Sequence, residues 1–347
     1  MAPARIGERF ALDNVSWRRP PIQRSADKKN DEEEKNHDDD EEHDEEERDE
    51  EKRHDEERRT GVGANGADLT PYAPRLNADV RQIRNSNTIV MAEPPDWGAD
   101  SLSSKYFKDA EYNDRATAAN FPVVFDLLKR VHGCFERVEE ITSNDSGATR
   151  ILSRFLLVRA HSTFLAACRL TMSGQIGEAH VLNRAAIEQA WYALHIAKDP
   201  EPWKRAEIWL RRNESADAKA SCKAEFTVAK VRATHSSLDV GNAKDLSELY
   251  ELTIDFGAHP NQMGVLGSIR RVEDAEKVVY NVGILAPNTL GVMAAIRMTI
   301  AIAIGVFRVF RVIYPERFAI VGLDGEIASL VAALNTVFKP FAKTETA

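Results

Sequence analysis

The chain has 347 residues and a formal net charge of −9, with 46 Lys and Arg against 55 Asp and Glu. The charge is unevenly placed, because residues 1–90 carry 24 acids and 16 bases whereas residues 91–347 carry 31 acids and 30 bases. A nearly neutral second part excludes a strongly basic nucleic-acid binder of the histone type and gives no electrostatic reason to expect an acidic-lipid surface protein.

Residues 1–115 are predicted to be disordered or to form a linker. The charged tract 27–59 contains 20 acids, eight Lys or Arg and five Asn or His, and no apolar residue. Such a segment has no apolar surface whose burial could offset the loss of conformational entropy. Residues 60–115 hold repeated Gly and Pro without sustained periodicity, which is typical of a linker. We also hypothesise that the natural product starts at Met91; a native mass equal to that of the full chain would contradict this.

Residues 116–340 predict a single all-α domain, a multi-helix bundle with a small hairpin insertion. Apolar residues recur at intervals of three and four from Phe121 onward, which is typical of amphipathic helices. β-Branched residues and Gly within Val265–Ile284 favour the hairpin. Helices are predicted at 121–141, 145–172, 176–198, 201–212, 217–234, 245–256, 289–313 and 326–338.

Several classes of protein lack their sequence signatures here. The three cysteines are far apart, so neither a disulfide framework nor a structural zinc site is expected, and a reducing cytoplasm is the simplest location. No P-loop or Gly-x-Ser-x-Gly motif occurs and strands do not alternate with helices, so no dinucleotide or other cofactor is predicted. The apolar run Met298–Phe307 is too short to span a bilayer, which predicts a buried core helix and no membrane association.

Two of the predicted helices carry narrow polar stripes on otherwise apolar surfaces. An apolar helix is usually buried, so such a stripe must face solvent, a pocket or another polar stripe. On helix 145–172 the stripe consists of Arg150, Arg154 and His161, within about 40° of arc. On helix 176–198 it consists of His180, Arg184, Glu188, Trp191 and His195, within about 80°.

The short connection around Gly174 predicts that these two helices are antiparallel neighbours with facing stripes. One buried network would then contain Arg154, His161, Arg184, Glu188 and His195. The functional interpretation is general acid or base work by His161 or Glu188, with arginines holding an anionic substrate. The structural interpretation, which we favour, is an ion-pair network in which Arg184 and Glu188 form an i to i+4 pair. A metal site is a third interpretation, but the Glu-x-x-His pairs of di-iron bundles are absent from these helices.

Three segments of the chain, Leu182–Pro200, Ile208–Glu214 and Leu249–Asn261, resemble an uncharacterised family of bacterial all-helical proteins. The resemblance covers roughly residues 121–338 and implies an all-helical fold without an established activity.

A remoter similarity is to HEPN-type helical domains, several of which are ribonucleases of toxin and defence systems with an Arg-x(4–6)-His motif. Arg154 and His161 match this motif with six intervening residues. The similarity implies metal-independent cleavage or binding of RNA, with His161 as the acid or base and Arg154 as a phosphate ligand.

Asp255 and His259 form a further candidate ligand-binding pair, four residues apart at a predicted helix end. The alternative is that His259 only caps that helix, where the helix dipole favours a cation. Arg150, Arg184 and His195 complete the candidate ligand-binding residues.

Two functions are expected from these features. The first is a cytoplasmic interaction or regulatory module, without demonstrated catalysis, whose exposed helical faces bind a protein partner or a second copy of the chain. The alternative is the RNA-cleaving or RNA-binding domain that the HEPN similarity implies. No feature of the sequence decides whether the protein is an enzyme.

Overall fold

The computed structural model describes residues 96–144, 148–258, 262–266, 269–274, 277–286 and 289–342. The charged tract 27–59, Met91 and most of the predicted linker lie outside the described residues.

The described residues form an all-α domain with one small hairpin, which confirms the predicted fold class. In chain order the elements are α1 Lys108–Asn120, α2 Pro122–Thr142, α3 Ala148–Ser173, α4 Ile176–Ala197, α5 Lys204–Leu210, α6 Ala216–Glu225, α7 Val228–Leu238, α8 Val240–Thr253, α9 Gln262–Leu266, β1 Ile269–Asp274, β2 Lys277–Val282, α10 Thr289–Ile313, α11 Pro315–Ile320 and α12 Leu323–Val337. π-Helical segments precede α1 and follow α8, at Leu102–Phe107 and Ile254–Ala258.

The core is built around α10, which contacts α2, α3, α4, α8 and α12. Its side chains are apolar on nearly every face, and the largest of them, Ile296, Ile300, Ile304, Phe307 and Phe310, are fully buried. A helix that is apolar all round is stable in water only when other elements surround it. The bundle therefore wraps α2, α3 and α4 around one late helix, as the prediction of a buried core helix required.

The turn between α3 and α4 depends on Gly174. Its φ of +94° is left-handed, and an added Cβ would lie 2.7 Å from the backbone oxygen of Ala286. The Gly174 carbonyl also accepts a hydrogen bond from the Ala286 amide at 2.7 Å. Only glycine combines this backbone conformation with such a close neighbour, so the residue sets the antiparallel packing of α3 on α4.

The predicted linker is wrong at its C-terminal end, because residues 102–120 are helical. No side chain of α1 is buried, so this segment has no apolar periodicity to detect. It is held instead by polar contacts to the end of α3: Asn113 donates to the Ser173 carbonyl at 2.9 Å, and Thr117 donates to the Met172 carbonyl at 3.0 Å.

The predicted helices 217–234 and 245–256 need correction at their boundaries. The predicted hairpin is confirmed. The predicted helix 217–234 is interrupted at Thr227, whose hydroxyl accepts from the Lys230 amide and starts α7. Helix α8 begins at Val240, five residues before the predicted start at 245, because the side chain of Asp239 caps it. Strands β1 and β2 pair antiparallel, with Ile269 opposite Val282.

Two of the described helices are long and apolar enough to cross a membrane, namely Arg150–Ser173 and Leu290–Ile313. In the second, 72% of the most apolar window is buried inside the protein, as expected of a core helix. In the first only 50% is buried, so α3 leaves a substantial apolar surface on the outside of the bundle.

Candidate functional site

The polar stripe of α3 faces α2 rather than α4. His161 is buried, with 3% of its surface exposed, and both of its ring nitrogens contact side chains of α2. Nδ1 lies 2.6 Å from the Glu139 carboxylate, and Nε2 lies 2.8 Å from Nδ1 of His132. The ring also stacks on Phe135 at 4.7 Å with an interplanar angle of 5°. His161 therefore has no nitrogen left for Glu188 or His195.

We call Glu139, His161, His132 and Glu136 the α2–α3 histidine array. It runs from the interior to the surface, since the side chains of Glu139 and His161 are 13% and 4% exposed whereas those of His132 and Glu136 are 40% and 53% exposed. At the outer end, His132 Nε2 lies 3.6 Å from the Glu136 carboxylate. The array links the mostly covered carboxylate of Glu139, through the buried His161, to an imidazole that faces solvent.

Hydrogen-bond roles along the array follow from its buried end. The Glu139 carboxylate can only accept, so Nδ1 of His161 carries a proton and, in the neutral ring, Nε2 accepts. His132 must then donate from Nδ1, which leaves a bare Nε2 facing Glu136 when His132 is neutral. One added proton converts that unfavourable contact into an ion pair.

Arg154 does not join the array as a phosphate ligand would. Its Nη1 donates to the backbone carbonyl of Ser143 at 2.9 Å, which satisfies an orphan acceptor at the end of α2. The Arg150 side chain is exposed, and its backbone carbonyl accepts from the Tyr314 hydroxyl at 3.0 Å.

Glu188 and Arg184 form the predicted i to i+4 pair, at 2.9 Å, but they face α8. The Tyr250 hydroxyl donates to the same Glu188 oxygen at 2.9 Å, and Arg184 lies over the Tyr250 ring at 5.1 Å. Burial, together with the adjacent Glu188 carboxylate, raises the pKa of Tyr250 to about 12. This cluster fixes α4 on α8, which is a structural role.

His195 belongs to a third cluster at the end of α4. Its Nδ1 contacts the Thr234 hydroxyl at 2.7 Å and its Nε2 contacts Glu225 at 3.1 Å. Glu225 also pairs with Arg205 and Lys230, each at 2.9 Å. Burial, and the positive charge of Arg205, lower the pKa of His195. Through these contacts the imidazole joins α4 to α6 and α7.

The prediction of one network across α3 and α4 is therefore wrong. The two helices are antiparallel neighbours, as expected, but Arg154 and His161 point to α2, Arg184 and Glu188 to α8, and His195 to α6 and α7. The stripes were correctly assigned to narrow faces. A helical-wheel projection of one helix does not show which other element packs against each of its faces.

Trp191 and His180, the remaining residues of the α4 stripe, are also buried in the bundle. Trp191 donates from Nε1 to Nδ1 of His235 at 3.0 Å, and burial lowers the pKa of His235 to about 4. His180 lies against Phe256, its Nδ1 makes no hydrogen bond, and burial lowers its pKa to about 4 as well. The imidazole rings of His180 and His235 are therefore both neutral at physiological pH.

The second candidate pair is only partly visible. Asp255 is exposed within the π-helical segment after α8, and His259 lies outside the described residues.

Sequence reasoning missed the α2 half of the array. His132, Glu136 and Glu139 recur at intervals of four and three, the same spacing that identified the stripes on α3 and α4. The same spacing is equally typical of the solvated face of an amphipathic helix, so it does not by itself indicate a partner on α3. Within the part of the chain that the structure describes, no group of three or more His, Cys, Asp or Glu is arranged to hold a metal ion.

Beside the array lies an uncovered apolar surface, the outer face of α3. It consists of Phe155, Val158, Ser162, Leu165 and Ala166, which fall within about 100° of arc. All but the half-buried Phe155 are exposed, with Val158 at 38% and Leu165 at 43%.

Comparison with known proteins gives no match, since no protein-family model, no curated protein and no solved structure aligns significantly with this chain. The resemblances drawn from Leu182–Pro200 and from the Arg154 and His161 spacing stay predictions.

Proposed function

We propose that this protein is an interaction module that binds an acidic, amphipathic helical segment of a partner protein on the outer face of α3. The observation that carries the proposal is the composition of that helix. It holds four arginines and no Asp or Glu over 26 residues, and it exposes apolar side chains along one face. An exposed apolar stripe on a helix whose own charged residues are all basic is suited to helix-in-groove recognition.

The arginines set the charge of the partner. Arg159 is exposed at one border of the face and forms no ion pair with another described residue. Arg169, at the other end, lies 3.6 Å from Asp114 of α1 and keeps most of its side chain exposed. A second copy of α3 would bring like charges together on this surface, whereas a helix with carboxylates beside its apolar side chains would complement them.

The test uses the full chain and two labelled peptides of one amphipathic design, with leucines on one face and either Glu or Gln on the other. Fluorescence anisotropy should show that the Glu peptide binds more tightly than the Gln peptide and that added salt weakens it. Leu165→Glu and Arg159→Glu should each reduce the affinity at least tenfold. Val240→Glu is the matched control, because Val240 is an exposed apolar residue on α8. This substitution should leave the affinity for the Glu peptide unchanged.

Three results would overturn the proposal. The first is equal affinity for the two peptides or no binding. The second is sedimentation with vesicles of anionic lipid that Leu165→Glu abolishes, since the surface would then bind a membrane. The third is a dimer in light scattering that becomes monomeric in Leu165→Glu, since a second copy would then occupy the face.

The α2–α3 histidine array favours one second candidate, RNA cleavage with His132 at the reacting bond. A neutral His132 Nε2 would take the proton of a ribose 2′-hydroxyl as its oxygen attacks the adjacent phosphorus. The protonated ring would then return that proton to the departing 5′-oxygen. A purified chain that cleaves a labelled single-stranded RNA, and loses this activity in His132→Gln, would support it. Intact RNA after prolonged incubation would exclude it.

A further inference from the structure

The α2–α3 histidine array lies at the edge of the outer face of α3. His161 is three residues after Val158 and four before Leu165, so all three share one side of the helix. His132 reaches His161 from α2, at 2.8 Å, on that same side. From α2 itself, Phe125 is seven residues before His132 and is also partly exposed. The one imidazole of the array that meets solvent therefore borders the surface assigned to the partner.

We infer that proton uptake at His132 strengthens binding of the acidic partner to the outer face of α3. This inference rests on the proposed function and adds its regulation. A neutral His132 presents a bare Nε2 next to Glu136, so the edge of the face carries the negative charge of that carboxylate. Protonation pairs Glu136 and offsets that negative charge at the border of the surface that carries Arg159 and Arg169. An incoming carboxylate then meets less repulsion.

The charged groups that face His132 from its own helix and from α3 each have another partner. On α2, Lys129 is one turn away and pairs with Asp126 at 2.5 Å. On α3, the facing group is His161, backed by Glu139.

The other elements packed on α2 place their charges elsewhere. Glu326 of α12 pairs with Arg137, about 140° around α2 from His132. Arg317 of α11 donates to the Ile141 carbonyl in the last turn of α2. Asp114 of α1 faces Arg169, and α10 presents Phe307 to Phe135.

The buried histidines do not obscure the effect. Burial holds the pKa of His180 and of His235 at about 4, so these two rings stay neutral over the range in which an ordinary histidine titrates. Burial also lowers the pKa of His195, which lies at the far end of α4 in the cluster with Glu225. A change in affinity between about pH 8 and pH 5.5 that depends on His132 then reports the array.

The experiment measures the affinity of the Glu peptide for the full chain at these two pH values. The unmodified chain should bind several-fold more tightly at the lower pH, with a limit of about tenfold per pH unit for one linked proton. His132→Gln keeps a side chain that donates to His161 but cannot be protonated, so its affinity should not change with pH. Glu136→Gln removes the carboxylate that the imidazolium pairs with, so its affinity should vary with pH less than that of the unmodified chain.

The outcomes separate the two proposals. If the Glu peptide fails to bind at either pH, the proposed function fails. If it binds equally at both, or if His132→Gln retains the full pH dependence, the regulation is refuted while the interaction surface stands. Far-ultraviolet circular dichroism of each variant checks that the helices are intact, and Glu140→Gln, an exposed carboxylate on the same helix, is the matched control that should behave as the unmodified chain.

Discussion

Glu139 and His161 join α2 to α3 through a hydrogen bond of 2.6 Å between a carboxylate and a buried imidazole. Replacing Glu139 by Ala would leave His161 Nδ1 without this acceptor inside the bundle. We expect the free energy of unfolding to fall by about 3 kcal/mol. The reason is that the remaining member of a buried polar pair stays desolvated but no longer has a hydrogen bond to compensate for it. Urea denaturation measures this change.

Glu140→Ala is the control for that substitution, since Glu140 is the exposed neighbour on the same helix. It should alter the free energy of unfolding by no more than about 0.5 kcal/mol. Equal losses for the two variants would show that the Glu139 to His161 contact does not stabilise the fold.

Glu188 and Tyr250 provide a spectroscopic prediction. Burial and the Glu188 carboxylate raise the pKa of Tyr250 to about 12. Glu188→Gln removes the negative charge, so the pKa of Tyr250 should fall toward the ordinary value of about 10 without reaching it, because burial remains. Ultraviolet titration, with Tyr250→Phe to identify the signal, measures the shift. An unchanged titration curve would contradict the assigned hydrogen bond.

Gly174 and Gly133 respond in opposite directions to alanine. At Gly174 the φ of +94° and the Ala286 backbone leave no place for a Cβ, so Gly174→Ala should destabilise the fold by about 2 kcal/mol or more. At Gly133, inside α2, an added Cβ meets no atom within 4 Å. Gly133→Ala should therefore stabilise by up to about 1 kcal/mol, through higher helix propensity. Thermal unfolding of both variants tests the pair.

The unpartnered ring of His180 predicts a loss of stability in acid. Its pKa is about 4 in the folded protein and about 6.5 in the unfolded chain, so the unfolded chain binds more protons between these values. The free energy of unfolding is then unaffected above about pH 6.5 and falls as the pH drops toward 4, by up to about 3 kcal/mol.

His180→Phe removes this proton uptake and the unsatisfied nitrogen together. Its stability should fall less steeply than that of the unmodified chain between about pH 6.5 and pH 4, and His235 and His195, whose pKa values burial also lowers, should contribute to the slope that remains. Denaturation midpoints at several pH values measure both slopes. Parallel curves would show that His180 binds its proton equally well in the folded and the unfolded chain.

The predicted helices match the structure where one face of a helix is buried, because burial requires apolar residues at regular intervals along the sequence. The predicted bounds 289–313 match α10, and 176–198 matches α4 within one residue, because both helices have their apolar residues in contact with the core. Helix α1 was missed because polar contacts to the end of α3 hold it, and such contacts leave no periodic trace.

The candidate site was less predictable than the fold. His161 and Glu188 lie on the narrow polar faces that their sequence positions predict. Their partners Glu139 and Tyr250 belong to α2 and α8, and a comparison of α3 with α4 alone does not include those helices. The angle of a side chain around its own axis follows from its number. Which helix covers that angle depends on the packing of the whole bundle.

The position of α10 in the chain has a consequence for synthesis. Helices α2, α3 and α4 leave the ribosome well before Thr289–Ile313, which fills the space between them. At about 5–20 residues per second, the roughly 100 residues between α4 and the end of α10 take several seconds to emerge. During that interval the surfaces of α2, α3 and α4 that contact α10 in the folded domain are without that helix, so the core is completed only after most of the chain has been made.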